Sequence, residues 1–486
     1  MKIGNQDILG ITCDSREVKP GYAFVAIKGF EDDGNKYINE AIESGAKVIY
    51  TEEDINGLDS LKVPIIKVNN ARQRLAQLAN QLYNQPSKKL TLIGVTGTNG
   101  KTTTTHLIEH LFAKNNFKTG LIGTVKTKID NKVKEAQLTT PGAVEISNCL
   151  NEMVQRGVNV ATMEVSSHGI KLDRTAGLDF DLIIYTNLGR DHFDLHENFA
   201  DYLNTKKKLF QEAAQDKIAL INIDDAHAEE ISSALECRVI NYGFSERADI
   251  QAELIAYGTE GSRFRVSVED GLSNYYGSEI VLEEFELELQ LLGKHNIYNA
   301  LAAIAAALLL GLSVNEIKTA LKSFQPFYRR LNVIYDYEFT IIDDCAHNYA
   351  SYKAVFETIK DLEYNDLYII NAIRGNRGVQ VNKEIAEAIA EFTPLLGVTE
   401  LYISNCERLA GSRDQVTAAE KRTVIQTLNE QRVDFEFWRE FKPALLAALA
   451  KVDNGDLVLL LGAHAMDQAA DISLNILQKS KEVSLG

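Results

Sequence analysis

The residues with the clearest capacity for chemistry lie in the segment Gly94 to Thr103, where glycines precede Lys101 and Thr102. The apolar run Leu90 to Ile93 comes before this segment, and Thr104 to Leu111 follows it with the spacing of a helix. A strand, a glycine-rich loop, a Lys-Thr pair and a helix form a cradle for nucleotide phosphates. Glycines admit phosphates to the backbone N–H groups, and the lysine adds positive charge. The segment therefore predicts a nucleotide site, with the Thr102 hydroxyl placed to meet Mg²⁺.

The spacing within this loop departs from the usual pattern of phosphate-binding loops. A glycine is expected six residues before Lys101, but Val95 stands there and Gly94 comes one residue earlier. The loop is therefore a variant of the nucleotide cradle, and the variation is itself informative about the class of protein.

A second polar cluster follows the predicted strand Val160 to Val165. Ligands of open α/β sheets bind beyond the carboxyl ends of the strands, so Glu164 is placed to share a Mg²⁺ ion with Thr102. The alternative is a capped turn, because Ser and His are common where helices begin. The phosphate loop in the same sheet favours the functional interpretation.

Three further groups of polar residues stand out, and two of them have two interpretations each. In the polar segment Thr186 to His196, His192 could ligate a metal or orient a phosphate, or the segment could be a solvated loop. The run Lys206 to Lys208 is typical of a solvated helix face. Asn296 and Asn299 share one face at a helix start and could bind the edge of an adenine, although helix capping also explains Asn296.

Composition excludes several classes of protein. A chain of 486 residues is too long for one core, so we expect two to four domains. The net charge of −17 argues against a nucleic-acid partner. The five cysteines are scattered, which favours a reduced, cytoplasmic setting. The first residues lack a signal-peptide pattern, and the apolar stretch Ala300 to Leu310 is too short to span a bilayer and predicts a buried helix.

The elements that must position these residues form an α/β protein with three units. Short strands and helices alternate in residues 1–88, and Gln85 to Lys89 resembles a linker. Residues 89–325 predict a largely parallel sheet with helices on both faces, joined by a β-rich patch that includes Ile280 to Leu282. A third α/β unit occupies residues 326–486.

These motifs together resemble the Mur ligase family of ATP-dependent amide ligases, in particular the branch that adds the third residue of the peptidoglycan stem peptide. The shortened glycine spacing at Val95 is the family's own form of the loop. The matching segments occur in family order and are Cys13 to Arg16, Gly97 to Thr103, Thr139 to Pro141, Glu164 to Gly169, Thr186 to Leu188 with Arg190 to His192, and Gly293 to Asn299. The resemblance implies an N-terminal UDP-sugar-binding domain, a central ATP-binding domain and a Rossmann-like acceptor domain.

The resemblance also implies roles for individual residues, with ATP and Mg²⁺ as cofactors. The residues implied to bind the ATP phosphates are Gly97, Thr98, Asn99, Gly100, Lys101, Thr102 and Thr103. The adenine would meet Asn296 and Asn299, and the third domain would complete the ATP site with Arg330 and Asp344.

The same comparison implies a metal site and a substrate site. Mg²⁺ would be held by Thr102, Glu164, His192 and Lys206, the last being the lysine that the family carbamylates. The catalytic residues would be Lys101, Lys206, His192 and Glu164. The UDP-sugar-peptide would be held by Ser15, Thr139, Thr140, Ser166 and Arg174.

The third domain departs from the family at the positions that surround the incoming amino acid. Ser404 to Arg408 stands where diaminopimelate-accepting members carry Asp-Asn-Pro-Arg, and Leu461 to Ala465 replaces Gly-Lys-Gly-His-Glu. Ile373 to Gly378 replaces a Gly-Asp-Arg-Asp-Lys-Gly loop, and Asn332 replaces a glutamate. These departures favour an acceptor other than diaminopimelate, such as lysine.

Three functional hypotheses remain open from the sequence. The first is a peptidoglycan-precursor ligase that joins an amino acid to UDP-N-acetylmuramoyl-L-alanyl-D-glutamate through an acyl phosphate. The second is a Mur-type ligase for another carboxylate and another amine. The third is a non-catalytic binding protein, which the joint presence of Lys101, Glu164, His192 and Lys206 opposes. We expect a cytoplasmic monomer whose partners are small molecules.

Overall fold

The computed structural model describes residues 1–3, 6–30, 32–54, 63–189, 195–233, 235–281, 284–325, 329–412 and 414–484, with backbone alone for His464 and residues 480–484. Within these residues the chain forms three main sheets of four, eleven and six strands, each covered by helices. Each sheet lies inside one of the three units inferred from the sequence, and the boundaries at residues 88/89 and 325/326 stay predictions.

The first unit is a small parallel sheet with the strand order β3-β4-β5-β6. Its strands are β3 (Gly10–Thr12), β4 (Tyr22–Val25), β5 (Val48–Thr51) and β6 (Ile65–Lys67), preceded by the short pair β1 (Lys2–Ile3) and β2 (Gln6–Asp7). Its helices are α1 (Ile38–Glu43) and α2 (Ala71–Leu82). The buried side chains of β4 and β5 reflect near-continuous apolar runs, as expected for parallel strands covered on both faces.

The central sheet has the order β10-β9-β8-β11-β7-β12-β13-β14-β15-β16-β17, and pairing is parallel from β8 through β15. The strands are β7 (Thr91–Thr96), β8 (Thr119–Ile122), β9 (Lys126–Ile129), β10 (Lys132–Glu135), β11 (Val160–Glu164), β12 (Leu182–Tyr185), β13 (Ile218–Asn222), β14 (Arg238–Gly243), β15 (Ile250–Gly258), β16 (Gly261–Val268) and β17 (Phe285–Leu289). Antiparallel pairs extend it at both edges.

Helices cover both faces of this sheet, and the sheet divides the core into two clusters. They are α3 (Lys101–Lys114), α4 (Ala143–Gln155), α5 (Ser167–Lys171), α6 (Phe199–Gln211), α7 (Ala228–Ser232), α8 (Lys294–Leu309) and α9 (Val314–Lys322). Helix α8 is almost wholly buried, as expected for a helix whose own alanines and leucines are present on every face.

The third unit is a six-stranded sheet with the order β18-β19-β23-β20-β21-β22, parallel except for the edge pair β18–β19. The strands are β18 (Asn332–Asp336), β19 (Thr340–Asp344), β20 (Leu367–Ala372), β21 (Val398–Ser404), β22 (Glu436–Trp438) and β23 (Leu457–Leu461). The helices are α10 (Tyr349–Lys360), α11 (Val379–Leu396), α12 (Ala418–Glu430), α13 (Phe441–Leu449) and α14 (Ala469–Ser484).

One local prediction was wrong. Ile280 and Val281 lie in no strand, because the chain there follows a turn that packs on α8, and Leu282 lies outside the described residues. Pro86–Lys89, in the segment expected to be a linker, forms a 3₁₀ turn with Pro86 and Ser87 buried, and the Ser87 hydroxyl accepts a bond from Asp179 N. Among the described helices, none combines the length and apolar character needed to cross a membrane.

Candidate functional site

A cavity of about 690 Å³ lies at the carboxyl edge of the central sheet, against the third unit. The residues that follow β7, β8, β11, β12 and β13 contribute to its wall, because parallel strands end at the same edge of a sheet. Thr98, Thr124, Ser166, Thr186 and Asp224 represent these five loops. The cavity is the place where the sequence predicted a ligand site.

The phosphate loop depends on two glycines with positive φ. A Cβ on Gly97, at φ 152°, would lie 1.9 Å from Thr186 Oγ1, and one on Gly100, at φ 88°, would lie 2.3 Å from Asn299 Oδ1. The backbone therefore runs against its neighbours where any side chain would collide. Lys101 Nζ donates to the carbonyl oxygens of Gly97 and Thr98, at 2.8 Å each.

The two predicted metal-holding oxygen groups meet in the cavity. The Thr102 hydroxyl donates to Glu164 Oε2 at 2.9 Å, and the Glu164 side chain is fully buried. The carboxylate also accepts from Thr124, from its N–H at 2.8 Å and its hydroxyl at 2.9 Å. A Cβ on Gly123 would lie 2.4 Å from Glu164 Oε1, so a side chain at this position would displace the carboxylate.

This donor set suits Mg²⁺. A carboxylate and a hydroxyl converge beside the phosphate loop, and hard oxygen ligands of this kind, together with substrate phosphates, are what Mg²⁺ prefers. Thr102 and Glu164 are the described side chains that would hold the ion. His192 lies outside the described residues, so its predicted metal role stays a prediction.

Lys206 lies behind the loop rather than on the cavity wall. Its side chain is 1% exposed, and Nζ donates to Gly97 O at 3.0 Å and lies 3.4 Å from Thr96 Oγ1. The same Nζ lies 4.7 Å from the ring centroid of Tyr202, whose hydroxyl is 3.0 Å from Thr98 Oγ1. The interpretation of the lysine run as a solvated face is therefore wrong for Lys206, which lies on the buried side of α6.

Four of the five predicted substrate residues form one hydrogen-bonded group beside Glu164. Thr140 Oγ1 donates to Glu164 O at 2.8 Å and accepts from Ser166 N at 2.9 Å. Arg174 donates to Thr140 O at 2.7 Å, and Thr139 Oγ1 lies 3.0 Å from Thr124 Oγ1. All four predicted residues line the cavity, which places their polar atoms next to the predicted metal site.

Asn296 and Asn299 line the cavity but are bonded to each other and to the protein. Asn299 Nδ2 donates to Asn296 Oδ1 at 3.1 Å, and Asn296 Nδ2 donates to Leu292 O at 2.8 Å. Thr104 Oγ1 donates to Asn299 Oδ1 at 3.4 Å and so connects the start of α8 to α3, the helix that follows the phosphate loop. Both amides therefore have a supporting role in the structure, and their contact with adenine stays a prediction.

Sequence reasoning missed polar residues at the ends of two strands. Thr124 follows β8, and Asn222 and Asp224 lie at and after the end of β13, all on the cavity wall. The Asp224 carboxylate accepts from Tyr298 Oη at 2.8 Å. The signal that could have found them is their position at the carboxyl ends of parallel strands.

The third unit contributes the predicted Arg330 and Asp344 to the cavity. The neighbouring Arg329 is 2% exposed and lies within the third unit, with Nε 3.2 Å from the Asp343 carboxylate. Asp344 Oδ2 accepts from Leu331 N at 2.8 Å, and burial raises the pKa of this carboxyl. The side chain of Arg329 thus binds Asp343 of β19 inside the third unit, whereas the next residue, Arg330, lines the cavity.

Ser15 lies apart from the cavity, in the first unit. Its side chain is 7% exposed, and the hydroxyl donates to Glu40 Oε2 at 3.4 Å. No residue of the first unit is among those that line the cavity in the described part of the chain. A ligand that reached both Ser15 and Thr139 would therefore extend from one unit to the next.

Comparison with known proteins agrees with this arrangement. Three family profiles match in succession: "Mur ligase family, catalytic domain" over residues 7–83, "Mur ligase middle domain" over 95–307, and "Mur ligase, glutamate ligase domain" over 329–464. The UDP-N-acetylmuramoyl-L-alanyl-D-glutamate–2,6-diaminopimelate ligase of Caldanaerobacter subterraneus is 33% identical over 94% of this chain and 90% of its own length.

A second relative and a solved structure extend the comparison. The ligase of the same name from Halalkalibacterium halodurans is 36% identical over 80% of this chain and 78% of its own length. A solved structure of a UDP-N-acetylmuramoyl-L-alanyl-D-glutamate–2,6-diaminopimelate ligase aligns with a TM-score of 0.68 and 24% identity, over 96% of this chain and 92% of the other. The three-unit α/β fold is therefore shared along nearly the whole chain.

Proposed function

This chain belongs to the Mur ligase family of ATP- and Mg²⁺-dependent ligases, and we propose that it joins an amino acid to UDP-N-acetylmuramoyl-L-alanyl-D-glutamate. The product would be a peptidoglycan precursor carrying the third residue of the stem peptide. The observation that carries this proposal is the meeting of Thr102, Glu164 and Thr139 in one cavity through the Thr124 hydroxyl. The nucleotide, the metal ion and the acid substrate would then bind in the same cavity.

The reaction follows from the groups that this cavity would bring together. An oxygen of the substrate carboxylate attacks the γ-phosphorus of ATP, the bond to the bridging oxygen breaks, and ADP leaves. The neutral amine of the acceptor attacks the acyl carbon of the acyl phosphate, and phosphate leaves as the amine loses a proton. The bound Mg²⁺ supplies charge neutralisation between the phosphates and the carboxylate.

The chain's own residues contribute positioning and charge. Phosphoryl transfer requires little covalent help from the protein, so alignment of the two anions is the main task. The N-terminus of α3 would face the phosphates, and Lys101 would move from the carbonyl oxygens of its own loop to an ATP oxygen. Arg174 and the Thr140–Ser166 pair would hold the acid substrate.

The third unit would hold the acceptor and exclude water. Arg374 lines the cavity, with a guanidinium nitrogen 2.6 Å from His347 O, and its charge suits the α-carboxylate of an amino acid. Water would hydrolyse an acyl phosphate, so enclosure of the cavity by this unit favours amide formation.

A second candidate function concerns the acceptor. The relatives compared above are diaminopimelate ligases by name, whereas this chain has Cys406, fully buried, within the segment that replaces Asp-Asn-Pro-Arg. Arg408 is 87% exposed at its side chain and pairs with Glu440 at 3.3 Å. Because no described residue of this segment presents a cation to the cavity, an acceptor without a second carboxylate, such as lysine, is the alternative.

The test is phosphate release from ATP with UDP-N-acetylmuramoyl-L-alanyl-D-glutamate and one amine at a time. The panel contains meso-diaminopimelate, lysine, other amino acids and diamines, and mass spectrometry identifies the amide product. We expect turnover that requires both the nucleotide-sugar and one amine. Absence of turnover with this nucleotide-sugar for every amine would contradict the proposal and favour a Mur-type ligase for another carboxylate.

Several sequence-based expectations are part of the same proposal. We propose that the protein acts as a monomer in the cytoplasm, where its nucleotide-linked substrates would be found. We propose carbamylation of Lys206, contact of Ser15 with the uridine, and domain boundaries at residues 88/89 and 325/326. Supporting the carbamate, Lys101 and Lys206 both donate to Gly97 O, so converting the Lys206 ammonium group into an anionic carbamate would replace repulsion between two cations with attraction.

A further inference from the structure

Thr124 lies between the two halves of the candidate site. Its hydroxyl is 2.9 Å from Glu164 Oε2 and 3.0 Å from Thr139 Oγ1, and its backbone N–H binds Glu164 Oε1 at 2.8 Å. Glu164 belongs to the proposed metal site, and Thr139 to the proposed acid-substrate site. The Thr124 hydroxyl is therefore a direct link between the two.

The hydroxyl has two neighbours and one proton. A threonine hydroxyl donates one hydrogen bond and accepts others, so Thr124 can give its proton to Glu164 or to Thr139, but not to both. When the proton goes to Glu164, Thr139 can donate its own proton to the Thr124 oxygen. When Thr139 donates elsewhere, its oxygen becomes an acceptor for Thr124.

The choice of acceptor changes what Glu164 offers to a cation. Glu164 Oε2 already accepts from Thr102 Oγ1 at 2.9 Å, so with Thr124 it receives two hydroxyl donors. When the Thr124 hydroxyl rotates away from Glu164, Oε2 keeps one hydrogen-bond donor and has a lone pair available for Mg²⁺. The N–H bond from Thr124 to Oε1 meanwhile keeps the carboxylate in place.

We propose that Thr124 is a positioning residue that couples binding of the acid substrate to binding of Mg²⁺. The inference rests on the proposed function, because it takes the UDP-sugar-peptide as the ligand that accepts the Thr139 proton. Substrate binding turns the Thr124 hydroxyl from Glu164 to Thr139, and the metal then binds more tightly. By linkage, Mg²⁺ tightens substrate binding by the same factor.

The experiment measures binding of Mn²⁺, as a probe for Mg²⁺, to the full chain with ADP by electron paramagnetic resonance, with and without UDP-N-acetylmuramoyl-L-alanyl-D-glutamate. No turnover is involved. In the wild-type protein we expect the substrate to lower the Kd of Mn²⁺ by about fivefold, the size expected for one hydrogen bond. In Thr124→Val, which keeps the backbone N–H and the shape, the ratio should fall to about one.

Two controls separate coupling from a structural role. Thr124→Ser retains the hydroxyl and should restore the wild-type ratio, and Thr127→Val makes the same change in β9 and should leave the ratio unaltered. A wild-type ratio in Thr124→Val, or no coupling in the wild-type protein with substrate bound, would overturn the inference. Isothermal titration of the nucleotide-sugar is run alongside, and its failure to bind wild-type protein would overturn the proposed function and this inference with it.

Discussion

Two lysines compete for one carbonyl oxygen at the phosphate loop. Lys101 Nζ lies 2.8 Å and Lys206 Nζ 3.0 Å from Gly97 O, and Lys206 is almost fully buried. A buried ammonium group requires hydrogen-bond acceptors or other polar partners, and for Lys206 these also include Thr96 Oγ1 and the face of the Tyr202 ring. The lysine run by itself suggested an exposed helix face, whereas Lys206 is buried behind the phosphate loop, and its role in the metal site stays a prediction.

Replacement of this lysine tests its role. Lys206→Ala removes the side chain that reaches behind Gly97, and we expect ligation to fall by at least about tenfold because loop and metal geometry loosen together. Added bicarbonate should not restore it, since no amine remains to react with CO₂. Lys207→Ala, the adjacent residue of α6, is the matched control and should keep activity. Activity of Lys206→Ala equal to that of the control would rule out the carbamate assignment.

Glu164 gives the second residue-level prediction. Glu164→Gln keeps the volume of the side chain but removes the charge that would face Mg²⁺, so turnover should fall about a hundredfold. Binding of ADP without metal should change little, because the described contacts of Glu164 are with threonines and not with the loop backbone of residues 97–101. Steady-state kinetics over a Mg²⁺ series and titration calorimetry with ADP provide the two measurements. Unchanged turnover would remove Glu164 from the metal site.

At the scale of elements, α3 begins at the proposed nucleotide site and contains a buried histidine in its core face. His106, one turn after Thr102, is 4% exposed, and its Nδ1 lies 2.8 Å from Thr102 O. Burial lowers its pKa from 6.5 to about 4. The folded protein therefore holds this imidazole neutral, whereas the unfolded chain binds a proton below pH 6.5.

The sign of the pH effect follows from this difference in proton binding. Between about pH 6.5 and 4 the unfolded state carries more protons, so stability falls as the pH is lowered. His106→Asn, which keeps a donor toward Thr102 O, should remove about 2 kcal/mol of the loss between pH 7 and 5. Urea unfolding of the wild-type protein and of His106→Asn at pH 7 and pH 5 measures this difference in the free energy of unfolding. Equal losses in the two proteins would show that His106 does not titrate in this window.

Element positions were well predicted where the pattern was long and apolar. The strand predicted over Val160 to Val165 forms as Val160–Glu164, because buried parallel strands are continuous apolar runs. The run Ile280 to Leu282 had the same composition but forms no strand at Ile280 and Val281, since its backbone bonds to a turn. Periodicity cannot distinguish these cases in three residues.

The candidate site was predictable to the extent that it lies in contiguous motifs. Thr102, Glu164 and Asn299 could be found because each stands in a recognisable segment, and the structure brings them to one cavity. Thr124 could not be found in this way, since it is a single threonine whose meaning depends on Glu164, 40 residues away in sequence. Thr124 meets Glu164 only because the parallel sheet brings β8 beside β11.

At the scale of the whole molecule, the cavity is closed by a contact between units. Helix α10 of the third unit begins beside the phosphate loop, and the side-chain amides of Asn348 and Asn99 bond reciprocally at 3.3 and 3.4 Å. Asn348 also caps α10, since its Oδ1 accepts from Ser351 N at 2.9 Å. The side chain of Asn348 therefore both contacts the phosphate loop and caps the helix that faces this loop.

This double role can be separated by substitution. Asn348→Ser retains a good N-cap but is too short to reach Asn99, so the free energy of unfolding should change by less than about 0.5 kcal/mol. Looser closure should admit water to the acyl phosphate, and the ratio of phosphate released to amide formed should rise at least about twofold. Asn348→Ala, which loses cap and contact, should show the same ratio with about 1 kcal/mol less stability. If the serine variant kept the wild-type ratio while the alanine variant did not, the effect would belong to the helix cap, and the contact with Asn99 would have no part in excluding water.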